Sequence, residues 1–236
     1  MIETDCLIKK CREYDIDLSE DKAELMDRFA AMLVDWNRKI NLTAIINSKG
    51  IVDKHLVDSL LVLKALDINK NANLLDVGAG AGFPSTPIAI ARNDLKVTQI
   101  DSLNKRVVFL KEVAKMLNLD IAAIHARAEE YIKKHGQRQH FDFVVARAVA
   151  KLRCLVEYCL PFVKKDGFFI AMKGPDFEDE LEKANAAIKI LGGSVEKIVP
   201  FILPDESKRN IILIKKISHT PTIYPRSFAK ISKSPL

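Results

Sequence analysis

A cluster of glycines is the feature of this sequence that points most directly to chemistry. Three of the nine glycines lie between residues 78 and 82, in the run LLDVGAGAGFP at residues 74–84. Pro84 and Pro87 follow, where the first turn of a helix tolerates a missing amide hydrogen. A strand, a glycine loop and a helix start in this order let the backbone approach a nucleotide closely. The run therefore predicts a nucleotide-binding loop.

The spacing within the loop narrows the class of nucleotide. A dinucleotide fingerprint would need glycine where Phe83 stands, and the Gly-Lys-Ser/Thr end of a P-loop is absent from the sequence. Asp76, two residues before Gly78, is unfavourable beside a pyrophosphate but suits the amino and sulfonium groups of S-adenosylmethionine. Asp101 ends the next apolar segment, where a carboxylate can accept hydrogen bonds from ribose hydroxyls. We therefore predict an S-adenosylmethionine site that includes Gly78, Gly80 and Asp101.

The elements that position these residues alternate between strand and helix from residue 73 onward. The apolar segments are continuous, as in strands buried on both faces, and the alternation predicts a parallel sheet covered by helices. The last two segments are joined by a Pro-Asp-Glu-Ser turn, which predicts an antiparallel pair at the sheet edge. The fold class is therefore α/β, with a mostly parallel, seven-stranded sheet. The predicted strands are 74–77, 97–100, 121–124, 141–146, 168–172, 195–203 and 211–216, and the predicted helices are 84–92, 103–118, 151–163 and 176–191.

The first 70 residues predict helices that precede the sheet. One apolar face at helical spacing spans residues 26–40, with Ser19 as its N-cap, and a second spans residues 52–63, with Ser48 as its cap. We expect a single domain over residues 1–236. Within it, residues 1–70 would form a helical N-terminal extension, 71–217 a cofactor-binding core and 218–236 a basic C-terminal tail.

Charge is distributed unevenly along the chain. The net charge is +6, but residues 1–30 carry nine acids and five bases, so the other 206 residues carry a net +10. Residues 133–153 and 205–236 supply most of this excess. The excess is typical either of ordinary solvated surface with a loose basic end or of contact with a polyanion, and composition does not choose between them.

Composition excludes several other classes of protein. Apolar residues make up 48% of the chain and charged residues 29%, which excludes a disordered chain. No apolar run reaches the roughly 20 residues of a bilayer span, and residues 1–10 lack the apolar core of a secretory signal. The four cysteines match no zinc or redox spacing, and no metal site is predicted. We expect a soluble, cytoplasmic protein.

Motifs outside the loop resemble those of one family. The runs DVGAGAGFP (76–84) and DSLNKR (101–106) are accompanied by WNRKINLT (36–43), KHLVDSL (54–60), ARAEE (126–130), VARAVA (145–150) and MKG (172–174). Together they resemble the RsmG (GidB) family over nearly the whole chain. The resemblance implies a Rossmann-like, S-adenosylmethionine-dependent methyltransferase that acts on guanine N7 in 16S ribosomal RNA. The sequence departs from the family pattern at Ser85-Thr86, at Lys151 and at residues 227–231.

The resemblance also implies roles for matching positions. Gly78 and Phe83 would line the methionine and adenosine side of the cofactor. A backbone amide at Ala128 and the carboxylate of Glu129 would read the adenine edge, and Arg147 would close the cofactor site. Our own candidates for contact with RNA phosphates are basic residues near the predicted site, in the last strand and in the tail: Lys105, Arg106, Lys173, Arg209 and Arg226.

If guanine N7 accepts the methyl group, catalysis requires few specialised groups. Its lone pair is unprotonated at neutral pH, so attack on a sulfonium methyl needs no general base, and we assign no catalytic acid or base. His55 and Asp58 share one helix face, and local packing is favoured over substrate contact for them.

Other functions stay open at this stage. They are a methyltransferase of another RNA, a protein or a small molecule; a nicotinamide-dependent dehydrogenase, which Phe83 and Asp76 disfavour; and a non-catalytic module that binds cofactor or RNA. We expect a monomer whose partner is 16S ribosomal RNA or the small ribosomal subunit, with no membrane contact.

Overall fold

The fold is a seven-stranded sheet with helices on both faces, seen in a computed structural model that describes residues 1–147 and 150–236. Residues 148 and 149, in the predicted VARAVA motif, lie outside the described residues. The strand order is β3-β2-β1-β4-β5-β7-β6, parallel except that β7 is antiparallel to both of its neighbours. The predicted strands and the antiparallel edge pair are thereby confirmed. The strands are β1 (Asn73–Val77), β2 (Lys96–Asp101), β3 (Ile121–His125), β4 (Phe141–Arg147), β5 (Val163–Lys173), β6 (Gly193–Ile202) and β7 (Lys208–Lys216).

The helices cover the sheet in two groups, each with its own apolar core. Apolar side chains of α2, α4, α5 and α6 share one buried cluster with one face of the sheet, and those of α7, α8 and α9 share a second cluster with the other face. The helices are α1 (Thr4–Glu13), α2 (Glu20–Ile40), α3 (Ser48–Ile51), α4 (Asp58–Ala65), α5 (Ser85–Ala91), α6 (Asn104–Met116), α7 (Ala128–His135), α8 (Leu152–Cys159), α9 (Glu178–Ile190) and α10 (Phe228–Lys233).

The N-terminal extension belongs to the same packed unit as the sheet. The ring of Phe29 in α2 lies 5.1 Å from that of Phe83 in the glycine loop and 6.5 Å from that of Phe109 in α6. Phe29 and Phe109 are fully buried, so the extension forms part of the core beneath the loop. The division of the chain at residues 70 and 217 stays a prediction.

Three local features differ from the sequence-based expectations. Helix α7 was not predicted, because it has only eight residues. Asn47, not Ser48, caps α3, since its Oδ1 accepts a hydrogen bond of 2.7 Å from the Gly50 amide. A π-helical segment, Val52–Val57, then joins α3 to α4. None of the helices in the described ranges is long and apolar enough to cross a membrane.

Candidate active site

Parallel pairing brings the carboxyl ends of three neighbouring strands to one edge of the sheet. Val77 pairs with Ile100, and Asp101 with His125, so the residues that follow β1, β2 and β3 meet there. Two adjoining cavities open at this edge and share Gly78, Asp101 and Ser102 in their walls. The apolar cavity, about 110 Å³, also has Val77, Ile100, Ala128, Glu129, Tyr158 and Phe228 in its wall. The polar cavity, about 380 Å³, also has Thr43, His55, Phe83, Arg106 and Arg147.

The glycine loop is held open by left-handed backbone conformations. Gly78 has φ 75° and Gly80 φ 58°, values that side chains other than glycine adopt at a cost. The amide of Gly78 donates to the Ile100 carbonyl at 2.8 Å, which ties the loop to the end of β2. A Cβ on Gly82 would lie 2.6 Å from Thr86 Oγ1, so Gly82 lets α5 pack closely behind the loop.

Asp101 keeps hydrogen-bonding capacity toward the cavity. Its Oδ2 accepts from the Gly80 amide at 2.9 Å, and its Oδ1 accepts from the Leu103 amide at 2.8 Å. A carboxylate offers about four lone-pair sites, so two internal hydrogen bonds leave room for ligand hydroxyls. The two amides also fix the carboxylate in place. This arrangement fits the predicted contact with a ribose.

The apolar cavity fits an adenine ring. Glu129 is 5% exposed, and burial raises the pKa of its carboxyl. The backbone amide of Ala128, in the first turn of α7, makes no hydrogen bond within the described parts of the chain, as expected for a free helix start. The amide of Glu129 lies against its own carboxyl. A donor and an acceptor thus stand beside an apolar wall, which is the combination that a purine edge requires. The roles predicted for Ala128 and Glu129 stay predictions.

Asp76 does not face the cavities, contrary to the interpretation of the sequence. Its side chain is fully buried behind the loop, where Oδ2 accepts from the Ser85 hydroxyl at 2.5 Å and from the Ser85 amide at 3.4 Å. Burial raises its pKa to about 7, although the hydrogen bonds from Ser85 oppose the shift. Asp76 Oδ2 therefore holds the start of α5, whereas Oδ1 has no hydrogen-bond partner among the described residues.

The polar cavity has a packed wall of three side chains from distant segments. The ring of His55 stacks on that of Phe83 at 4.5 Å, and the Arg147 guanidinium lies 5.0 Å from the Phe83 ring centroid. Thr43 Oγ1 lies 3.0 Å from His55 Nε2. His55 thus packs against side chains that are distant in the sequence, and it also lines the cavity. The sequence signal for that position was the KHLVDSL run.

A buried carboxylate holds Arg147 in this wall. Asp58, which is fully buried, accepts from Arg147 Nη1 at 2.9 Å and from Arg209 Nε at 2.7 Å. Arg147 Nη1 also donates to the Lys54 carbonyl at 3.2 Å. Asp58 therefore joins the N-terminal extension to the ends of β4 and β7.

The electrostatics of this wall predict a pH dependence of stability. Burial, and then the charge of Arg147, lower the pKa of His55 from 6.5 to about 4. The unfolded chain takes up a proton near pH 6.5 that the folded chain resists, so stability falls as the pH drops from 6.5 to about 4. We expect His55→Gln to remove up to about 3 kcal/mol of that loss. Urea unfolding at several pH values measures it, and parallel pH profiles for the two proteins would contradict it.

The predicted RNA contacts have different surroundings in the structure. Lys105 is exposed at the start of α6, whereas Arg106 lines the polar cavity, with Nη1 3.6 Å from Asp101. Each of the others is paired inside the molecule: Lys173 with Glu180 at 2.7 Å, Arg209 with Asp58 and Arg226 with Glu157 at 2.6 Å. Their contact with RNA stays a prediction. No group of three or more potential metal ligands occurs in the described part of the chain.

The fold and the strand-end cleft define a class of protein. TYW2 from M. jannaschii, solved in complex with AdoMet, has a similar fold, with a TM-score of 0.56 and 16% identity over 74% of this chain and 80% of that chain. The chain has the Rossmann-like fold of the methyltransferases that use S-adenosylmethionine.

Sequence comparison identifies the family within that class. The family model described as rRNA small subunit methyltransferase G (GidB) matches residues 22–212. Ribosomal RNA small subunit methyltransferase G of Desulforamulus reducens is 47% identical and that of Clostridium botulinum 43%, each over 98% of this chain and 97% of the relative. The chain belongs to the rRNA small subunit methyltransferase G family. The resemblance stated from its motifs is confirmed.

Proposed function

We propose that this protein transfers the methyl group of S-adenosylmethionine to N7 of a guanosine in 16S ribosomal RNA. The observation that carries the proposal is the polar cavity, which continues directly from the predicted cofactor cavity across Gly78, Asp101 and Ser102. Family membership supports ribosomal RNA as the substrate, because the relatives are named for it. The polar cavity would then receive the acceptor base.

The reaction asks the protein for alignment more than for proton transfer. The cofactor supplies a methyl group on a sulfonium: the N7 lone pair forms a bond to the methyl carbon while the bond to sulfur breaks, and sulfur keeps the electron pair. No proton leaves N7, so no residue has to act as a base. The imidazole of His55 lies in the wall of the polar cavity, and its pKa of about 4 makes it neutral at physiological pH. It can therefore pack against a nucleobase without adding a charge.

The donors in the cavity wall favour guanine over adenine. Guanine presents two acceptors, N7 and O6, on the edge to be methylated, whereas adenine presents an amino donor in place of O6. Arg147 uses Nη1 for two internal hydrogen bonds, and its Nη2 lies 3.5 Å from His55 Nδ1. Its Nε makes no hydrogen bond within the described residues. A guanidinium carries only donors, so Arg147 would donate a hydrogen bond to O6 and repel the amino group of adenine.

Methyl transfer is tested with labelled cofactor. The protein is incubated with naked 16S RNA and, separately, with small subunits from a strain that lacks this gene. We expect label at one guanosine whose N7 methylation is revealed by borohydride and aniline cleavage. Label confined to another RNA, to protein or to a small molecule would replace this proposal by one of the alternatives.

Lys105 provides a test of RNA contact that does not disturb the cofactor. Lys105→Ala should weaken RNA binding at all sequences and make the slope of log affinity against log salt shallower by about 0.7 to 0.9, the share of one phosphate. Cofactor affinity should stay unchanged, since Lys105 is exposed outside both cavities. Lys165→Ala is the matched control, because Lys165 is equally exposed but lies near the opposite end of the sheet. Equal salt slopes for the two variants would contradict the contact.

A further inference from the structure

The C-terminal tail, residues 218–236, reaches the cofactor cleft. Phe228, the first residue of α10, stands in the wall of the apolar cavity beside Tyr158 and Ala128. The charge of the tail suggested a contact with RNA, but the structure brings Phe228 of the tail to the predicted cofactor cavity. No sequence pattern connects Phe228 with residues 77–129, where most of the cavity wall lies.

Two anchors hold the tail on either side of Phe228. Before it, Arg226 forms a bidentate pair with Glu157, at 2.9 Å from Nε to Oε1 and 2.6 Å from Nη2 to Oε2. Glu157 is fully buried, so the pair is shielded from water and geometrically fixed. After it, Ile231 is fully buried in the core cluster of α8 and α9. The position of Phe228 is therefore set by its neighbours in the chain.

Pro235 and Leu236 are held as well. Arg153 in α8 donates from Nε to the Leu236 carbonyl at 2.7 Å and from Nη2 to the Pro235 carbonyl at 2.8 Å. The last residues of most domains fray unless something ties them down. Here the hydrogen bonds from Arg153 fasten these residues to α8, the helix that also carries Glu157 and the cavity residue Tyr158.

Arg127 covers one side of the Phe228 ring, and part of the ring is exposed to solvent. The guanidinium carbon of Arg127 lies 4.3 Å from its ring centroid, within the range of a cation–π contact. Arg127 directly precedes Ala128 and Glu129, so the ring is coupled to the predicted adenine contacts. Phe228 is nevertheless 46% exposed, which is a large apolar surface for a ring in a cavity wall. A flat aromatic ligand would cover such a surface.

We propose that Phe228 is a cofactor-binding residue: with Arg127 behind it, its ring forms the outer wall against which the adenine of S-adenosylmethionine packs. This rests on the cofactor of the proposed function. The tail would then contribute to cofactor affinity directly. Aromatic contact of this kind is worth enough to predict about a tenfold loss of affinity when the ring is removed.

The test measures binding, not activity. Isothermal titration with S-adenosylmethionine, S-adenosylhomocysteine and adenosine should give a Kd about tenfold higher for Phe228→Ala than for the wild type, by the same factor for all three ligands because all carry adenine. Phe228→Tyr should restore the wild-type value. Ile223→Ala is the matched control: Ile223 is an exposed apolar residue of the same tail, outside the apolar cavity, and its removal should leave Kd unchanged.

A second measurement uses the unmodified protein and does not depend on a variant that folds. Hydrogen exchange at the amides of residues 227–231 should slow when S-adenosylmethionine is added to the wild type. Unchanged Kd values in Phe228→Ala, or unchanged exchange in this segment at saturating cofactor, would overturn the role of Phe228 and leave the proposed function intact. A wild type that binds none of the three ligands would overturn both.

Discussion

Gly78→Asp is expected to reduce the affinity for S-adenosylmethionine by more than about a hundredfold, because three effects act together at one position. The backbone of Gly78 forms the wall that the two cavities share. A side chain there would occupy cofactor volume, and its carboxylate would lie near that of Asp101. The φ of 75° adds a strain of roughly 1–2 kcal/mol for any residue other than glycine.

The effect of backbone strain on stability must be separated from the effect of the side chain on cofactor binding. Gly136→Asp is the matched control, since Gly136 also has a positive φ, 61°, but nothing lies within 4 Å of the position of its Cβ. It ends α7 and is exposed, away from both cavities. Both variants should lose similar stability by thermal unfolding, whereas only Gly78→Asp should lose cofactor binding by titration. Unchanged cofactor affinity in a folded Gly78→Asp protein would contradict the placement of the site.

The fold was accessible from the sequence because its signals are local. Each of the seven strands contains a short apolar segment, and the glycine loop lies next to the strand that it follows, so order and spacing were sufficient. Helix α7 was missed because eight residues, just over two turns, are too few to establish a helical period. The cap at Asn47 instead of Ser48 is a shift of one residue, and element boundaries are the least certain part of such predictions.

Residues of the site could be predicted from the sequence only where they lie close to the glycine loop along the chain. Asp101 was placed correctly at the strand end, but the fully buried position of Asp76 follows from α5 folding back over it, which spacing does not show. The partners of the predicted RNA contacts are distant in sequence: Arg209 pairs with a residue 151 positions away. A basic residue in a sequence carries no sign of an internal acid, so surface and structural charges look alike. Phe228 was missed because the other residues of its cavity wall are also distant in the sequence.

Asp58→Asn is expected to destabilise the protein by about 3 kcal/mol, because it removes the shared partner of two arginines. Asp58 is fully buried, and Arg147 and Arg209 are 15% and 23% exposed, so neither guanidinium can turn fully into water when the carboxylate is lost. Asp205→Asn is the matched control. Asp205 pairs at 2.8 Å with Lys54, which lies four residues before Asp58. Because Lys54 is 43% exposed, the loss of folding stability in Asp205→Asn should stay below about 1 kcal/mol.

Coupling, not the size of the loss, tests whether Asp58 holds Arg147. The unpaired guanidinium is the source of much of the penalty, so Arg147→Met should cost less in the Asp58→Asn background than in the wild type. We expect the free energies of unfolding from urea titrations of the four proteins to deviate from additivity by more than about 1 kcal/mol. Additive effects would mean that the two side chains act independently. Arg147 would then owe its position in the polar cavity to Phe83 and the Lys54 carbonyl, and not to the carboxylate of the N-terminal extension.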